Sequence, residues 1–235
     1  MSNVAIIPAR GGSKRIPRKN IKDFCGQPII AYSIKAALNS GIFDEVMVST
    51  DADEIAVVAK KFGASVPFMR SAKTSDDFAT TADVLNEVIS EYDKRGRTFD
   101  WFACIYPTAP FVTSDKLRAA FERLQQSDAD MLMPVVRFSY PPQRALVMHD
   151  GLLEYKWPEN YPRRSQDLEP FYHDVGQFYF YRRSSFVAAR SEEGTALKTI
   201  PMLMNEIEVQ DIDNLSDWEL AEIKFKMMLE RAETI

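Results

Sequence analysis

The chain alternates short apolar runs with longer stretches in which apolar residues recur at the helical period. The runs read NVAIIP from Asn3, EVMVST from Glu45, WFACIY from Trp101 and MLMPVV from Met131. Residues 28–40, 52–62, 80–92 and 113–126 carry the helical pattern. Strands rich in Val and Ile separated by such helices read as βαβ units, so the pattern predicts an α/β domain on a mostly parallel sheet. In open sheets of this kind, ligands bind beyond the carboxyl ends of the strands, where the strand order reverses.

The rhythm breaks near residue 137. Residues 137–174 hold five of the chain's thirteen prolines and a hairpin signal at His149-Asp150-Gly151; Asp-Gly favours the tight turns that join antiparallel strands. The expected organisation is a core domain of residues 1–136 and 173–235 with an inserted, β-rich arm of residues 137–172. Strand character returns in GQFYFYRR from Gly176. Residues 214–231 read as an amphipathic helix with Trp218, Leu220, Ala221, Ile223, Phe225 and Met228 as its apolar positions.

Composition narrows function by exclusion. A chain of 235 residues with 46% apolar and 27% charged residues can bury a sizeable core and is ordinary for a globular protein. A net charge of -5 and a pI near 5.2 argue against the broad basic surface of a nucleic-acid or anionic-membrane binder. The amino terminus runs straight into a short strand, and no long apolar segment follows, so a cytoplasmic location is expected. Cys25 and Cys104 lack the spacing of a zinc or redox pair and read as reduced thiols.

Against that acidic background, IPARGGSKRIPRKNI (residues 7–21) concentrates positive charge: Arg10, Lys14, Arg15, Arg18 and Lys19 fall within eleven residues. Gly11 and Gly12 would let the backbone approach a ligand closely, with their N–H groups cradling phosphate oxygens. The basic side chains would neutralise a triphosphate, Arg through its planar fork and Lys as a point charge. The spacing matches neither a Walker loop nor a dinucleotide fingerprint. A solvated loop that only aids solubility is the competing reading, and its place just after the first strand speaks against it.

Other candidates come with structural alternatives. Asp51 is most simply an N-cap of the helix that follows it, and Thr80 is a good N-cap whose helix terminus also favours anions. Asp211 and Asp213, two positions apart on an expected strand end, point to the same side and could share one Mg²⁺; otherwise they are turn aspartates leading into the last helix.

The basic stretch resembles the signature of the CMP-acylneuraminate synthetases, cytidylyltransferases that activate nine-carbon α-keto acid sugars. The likeness continues through FDEVMVSTDADEIAVVAKKFGA, RSAKTSDDFATTADV, YPTAPF and EVQDIDNLSDWELAE, and so covers most of the chain outside the arm. It implies a three-layer α/β/α, nucleotidyltransferase-like (Rossmann-like) fold, CTP as co-substrate, Mg²⁺ as cofactor and a homodimer made through the arm. By this resemblance Arg10, Ser13 and Lys19 contact phosphates, Asn20 helps hold the nucleotide, Arg70 faces the cytosine, and Ala79, Thr80 and Thr81 flank nucleotide and phosphates. Lys19 is the first choice for catalysis, with its ammonium offsetting charge that grows at the α-phosphate. The family uses the Asp211 and Asp213 pair for Mg²⁺. Metal-assisted deprotonation of the attacking hydroxyl is the simplest mechanism, since no dedicated side-chain base stands out.

Within the group, SYPPQRAL, RSQDLEPFYHDVGQFYF and YPTAPF look most similar to the branch that acts on pseudaminic acid. Tyr106 stands where the sialic acid branch has a sugar-facing glutamine. His173 and Gln177 then become sugar-facing candidates; the alternative for His173 is an interior or interface histidine. Arg163 or Arg164 would reach the sugar carboxylate from the neighbouring subunit, or else both are exposed surface arginines. Neuraminic and legionaminic acids are the rival sugars, with Kdo weaker. A silent nucleotide-binding module, the rival from another class, would need Arg10 and Asn20 but not Lys19, Asp211 and Asp213.

Overall fold

Alternation along β1 (Asn3–Pro8) sends Ala5 and Ile7 to one face of a central sheet and Val4 and Ile6 to the other, and all four are buried. A strand apolar on both faces needs a covering layer on each side. The computed structural model, which describes residues 2–190 and 196–233, supplies both layers.

The other strands of this sheet are β4 (Glu45–Ser49), β5 (Trp101–Ile105), β6 (Met131–Arg137), β9 (Tyr172–Asp174), β10 (Phe178–Arg182) and β11 (Thr199–Leu203). Two small hairpins lie outside it, β2 (Asp23–Phe24) with β3 (Gln27–Pro28) and β7 (Leu146–His149) with β8 (Leu152–Tyr155). The sheet order is β11-β6-β10-β5-β1-β4, with β9 also paired to β6. Strands β1, β4, β5, β6 and β11 point one way while β9 and β10 run against them, so the sheet is mixed but mostly parallel.

One face is covered by α1 (Ile30–Ser40), α2 (Asp53–Lys61) and α4 (Ser114–Gln125), through Ile34, Ile55, Leu117 and Phe121. The opposite face is covered by α3 (Thr81–Lys94) and α5 (Arg183–Ala189), through Leu85, Val88, Ile89 and Phe186. The chain passes from β1 to β4 on one side and then to β5 on the other, so strand order reverses at β1. That places the loops after β1, β4 and β5 around one crevice.

The last helix, α6 (Leu215–Glu233), builds a separate small core from Trp218, Ala221 and Phe225. Into it plug Ile16, from the basic loop, and Ile212, from between the two late aspartates. Both are 1% exposed, so one apolar cluster ties the basic loop to the acidic one. Leu220 and Ile223, read from the sequence as inward positions of this helix, are exposed instead, because the contact face is only as wide as that small core.

Two further expectations need correction. Strand β11 escaped the sequence pattern: TIPML is short, carries a proline and sits at the sheet edge, where a missing N–H is tolerated. Asp211 and Asp213 are not on a strand end, since the chain from Val209 to Asn214 joins no sheet. Their shared orientation therefore cannot come from strand pleating; the buried Ile212 between them anchors the segment instead.

In the segment expected as an arm, Arg137 and Tyr172 are register partners at its neck, and the Phe138 N–H donates to Phe171 O at 2.9 Å. The β7–β8 turn places Asp150 (φ 50) and Gly151 (φ 80) in the left-handed region, as the Asp-Gly signal anticipates.

Candidate active site

A cavity of about 520 Å³ opens at the crevice beside β1. Its lining includes Arg10, Ser13, Lys14, Arg15, Ile16, Lys19, Asn20, Arg70, Ala79, Thr81, Tyr106 and Asp213. The volume suits a small-molecule ligand. Five cations face three carboxylates there, Asp76, Asp77 and Asp213.

The basic loop is held by partners on three sides. Arg10 Nη1 donates to Asp76 O at 2.8 Å and to Asp77 Oδ1 at 2.9 Å, and Lys14 Nζ pairs with the other Asp77 oxygen. These two cations keep the Asp77 carboxyl below the usual carboxylate range. Arg15 Nη2 donates to Asp213 Oδ1 at 2.8 Å. Arg18 takes up the left-handed conformation (φ 56) and pairs with Glu54 at 2.5 Å, away from the cavity. Asn20 is buried and donates from Nδ2 to Arg10 O at 2.9 Å, which braces the loop across its own base.

Lys19 sits in a short 3₁₀ turn, Lys19–Ile21, with its Nζ donating to Ile212 O at 2.5 Å and lying 3.9 Å from Asp213 Oδ1. Burial pulls its pKa down, while the charges of Asp213 and Asp211 oppose the shift. The ammonium is thus partly dehydrated and aimed across the cleft at the acidic loop.

Asp211 shows the converse. Although the residue as a whole is exposed, desolvation of its carboxyl pushes the pKa up, the Asp213 charge adds to this, and Lys19 opposes it. Among the described residues no group of three or more His, Cys, Asp or Glu is arranged to hold a metal alone. The Asp211 and Asp213 pair still fits Mg²⁺, which binds one or two carboxylates and completes its octahedron with water and phosphate oxygens. A cation there would offset the Asp213 charge, the lesser cause of the Asp211 shift after desolvation; of the two, only Asp213 lines the cavity.

Arg70 is 8% exposed and is fixed through Nη2 to Ser49 O at 2.6 Å and Nε to Ser49 Oγ at 3.1 Å. Burial lowers its pKa to about 10, with Asp51 and Glu87 opposing, so it keeps its charge at neutral pH. Glu87 accepts from Ser71 Oγ at 2.6 Å and from Thr74 Oγ1 at 2.5 Å, securing the turn that follows Arg70. Tyr106 reaches Thr81 Oγ1 with its hydroxyl at 3.0 Å, and burial raises its pKa.

Several expected site residues are not brought to the cavity. The Thr80 hydroxyl is committed to a capping box with Asp83 at the start of α3, while its neighbours Ala79 and Thr81 line the cavity. Gln177 is 1% exposed, donates one amide N–H to Glu208 O at 2.6 Å and is not among the residues that line the cavity. His173 lies exposed against Phe138, with ring centroids 4.7 Å apart. Arg163 and Arg164 are exposed, each bonded to Asp167, and do not line the cavity.

One reading is overturned more sharply. Asp51 is not an N-cap: Ala52 occupies that position of α2, and Asp51 Oδ1 accepts from the Gly11 N–H at 2.8 Å. The Gly11 N–H is thus committed to Asp51 in this structure, whereas Gly12 stands in open space. Asp76 and Asp77 were missed altogether, though adjacent acids between two cavity-lining stretches were a usable signal.

The three-layer α/β fold is shared with solved synthetases. One is a CMP:2-keto-3-deoxy-manno-octonic acid synthetase complexed with CTP, at a TM-score of 0.69 and 20% identity over 98% of this chain and 100% of that one. Another is the 4-diphosphocytidyl-2C-methyl-D-erythritol synthase of Anaerococcus prevotii, at a TM-score of 0.65 and 12% identity over 96% and 98%. Identities this low show the fold alone, a nucleotidyltransferase-like one. The sequence goes further: the cytidylyltransferase family profile matches residues 4–224, and the chain belongs to that family.

Among its relatives, the pseudaminic acid cytidylyltransferase of Campylobacter jejuni (serotype O:2) is 43% identical over 99% of this chain and 100% of its own length. The CMP-N,N'-diacetyllegionaminic acid synthase of Legionella pneumophila is 35% identical over 94% and 95%. Among the described residues no helix is long and apolar enough to cross a membrane.

Proposed function

We propose that the protein transfers CMP from CTP to a nonulosonic acid, with pseudaminic acid as the preferred acceptor, and releases pyrophosphate. The observation that carries this reading is the convergence of Arg10, Lys14, Arg15 and Lys19 on one cavity beside the buried Arg70, with Asp213 opposite. Relatives named for pseudaminic acid match the whole chain and support the sugar assignment.

In this reading Arg10, Ser13 and Lys14 bind the phosphates, and CTP must first take Arg10 and Lys14 from Asp77. Arg70 faces the base. Lys19 neutralises charge that develops at the α-phosphorus as the anomeric hydroxyl attacks in line and pyrophosphate departs. Asp211 and Asp213 would hold Mg²⁺, which when bound shields phosphate charge and lowers the proton affinity of a bound hydroxyl. Tyr106, which lines the cavity with its hydroxyl bonded to Thr81, would offer the sugar a largely apolar side chain, a better match for a methyl terminus than for a glycerol tail.

A homodimer made through residues 137–172 belongs to the same proposal, with Arg163 or Arg164 entering the neighbour's cleft, and the cytoplasm as its setting. The exposed apolar side chains of Leu152, Leu153 and Met148 support it. The test offers CTP and Mg²⁺ with pseudaminic, neuraminic, legionaminic and Kdo acids in turn and reads pyrophosphate release. We expect the highest kcat/KM with pseudaminic acid. Equal or higher kcat/KM on neuraminic or legionaminic acid overturns the sugar, and no release with any of them overturns the reaction.

A further inference from the structure

Asp51 is a carboxylate placed next to a loop that collects anions, and by charge alone it opposes a triphosphate. We propose that Asp51 is a positioning residue that holds the Gly11 N–H, and with it the phosphate-binding loop, at a set distance from Arg70; this rests on the cytidylyltransferase reading of the cavity.

Three consecutive residues at the end of β4 grip both parts of the nucleotide site. Ser49 O accepts from the Ala9 N–H at 2.9 Å and from Arg70 Nη2 at 2.6 Å. Thr50 O accepts from the Arg70 N–H at 2.8 Å, and the Thr50 side chain turns back to accept from the Ala52 N–H at 3.2 Å. Asp51 completes the clamp through Gly11. Ser49 and Thr50 are 2% and 0% exposed, so the clamp is rooted in the core and not in a free loop.

Gly11 lies so close that a Cβ there would sit 2.9 Å from the Ala52 Cβ. The approach therefore demands glycine, and the carboxylate fixes it with a charge-assisted bond, roughly twice as strong as a neutral one. The negative charge also favours the protonated form of the buried Arg70. A single carboxylate thus serves the loop that takes the phosphates and the arginine that faces the base.

The sign of the effect separates positioning from mere proximity. Loss of a nearby negative charge alone tightens CTP binding, whereas loss of the clamp weakens it. By isothermal titration calorimetry we expect Asp51→Ala to raise the Kd for CTP about tenfold, with Asp51→Asn, which keeps an acceptor oxygen for Gly11, restoring most of the affinity. Gly11→Ala should weaken CTP to a similar extent, and adding Ala52→Gly, which removes the opposing Cβ, should recover it. Affinity of Asp51→Ala equal to or tighter than wild type overturns the proposal. If Asp51→Ala fails to fold, the Gly11 pair decides, and absence of rescue by Ala52→Gly overturns it. A wild-type protein that binds no CTP would instead sink the cytidylyltransferase reading itself.

Discussion

The core and the arm are made of similar side chains and treat them in opposite ways. Every residue of β5 is buried, as are four of the five in β10, whereas Leu168 is the one buried residue between Arg137 and Tyr172. That segment nonetheless carries Phe138, Tyr140, Leu146, Met148, Leu152, Leu153, Trp157, Tyr161, Phe171 and Tyr172 among the exposed large hydrophobics. Apolar content is therefore not what separates the two regions. Strands β5 and β10 have a helical layer on each face, while the β7–β8 hairpin leaves Leu146, Met148, Leu152 and Leu153 exposed, and a two-stranded hairpin alone is marginal in water. Large exposed apolar patches are common at interaction surfaces. Under the proposed homodimer, the core supplies its own stability and the arm draws on the partner's surface.

The largest way to break this contrast is to remove the arm. Deletion of residues 139–170 with a short linker across the neck should leave a folded monomer with little activity, and sedimentation of the intact protein as a monomer at assay concentration would remove the contrast's functional meaning.

Next comes a matched pair of substitutions. Phe180 is 1% exposed and stacks between Phe43 and Phe121, so Phe180→Ala should cost about 3–5 kcal/mol in denaturant unfolding. Leu152 is 70% exposed, so Leu152→Ser should change unfolding of the separated chain by at most about 0.5 kcal/mol while weakening self-association. Comparable losses at the two positions would show that the arm is packed as the core is.

The third sharpening lies within the site. Lys19→Ala should lower kcat by about 100–1000-fold while the Kd for CTP changes by less than about tenfold, because a contact strengthened in the transition state acts on turnover. A variant that loses CTP binding but keeps kcat contradicts that role.

The smallest effect concerns Asp211. Its raised pKa means the folded protein holds this proton more tightly than the unfolded chain, so ionised Asp211 is a stability loss at every pH above its folded pKa. Asp211→Asn should therefore raise the melting temperature of the metal-free protein at pH 7, by at most about 2 °C. The gain should fade as pH falls through the window between the raised folded value and the ordinary carboxylate value, below which both states are protonated. The same variant should lose Mg²⁺ dependence of turnover; an unchanged Mg²⁺ titration removes Asp211 from the metal site.

Where sequence reading succeeded and failed follows from what each signal contains. The helices over residues 30–40, 53–61, 81–94 and 114–125 fall within two residues of the expected stretches, since the helical period is a local property of the side chains. The Asp-Gly turn of the hairpin was legible for the same reason. Strand β11 was not, because an edge strand with one partner needs no strong apolar pattern. The basic loop with Arg10 and Lys19 was placed at the cleft by the rule about strand ends, whereas Arg70 and Tyr106 came from the family resemblance alone. Gln177 and His173 were read from likeness to one branch of the family, and they do not share a face once β9 and β10 are broken at Gly176 (φ 62).

By itself the sequence determined the α/β class, the position of the basic loop just after the first strand, and the break at residue 137, because periodicity, charge and turn chemistry are written along the chain. Only the tertiary structure decided which groups answer that charge. Asp77, Asp213 and Asp51 come to the loop from 67, 198 and 40 positions away along the chain, and nothing local says which group each will meet, since an aspartate in an N-cap, a turn or an ion pair has the same composition. Their roles follow from the reversal of strand order at β1 and from the small apolar core around Ile16 and Ile212, contacts between distant residues that exist only once the layers have packed.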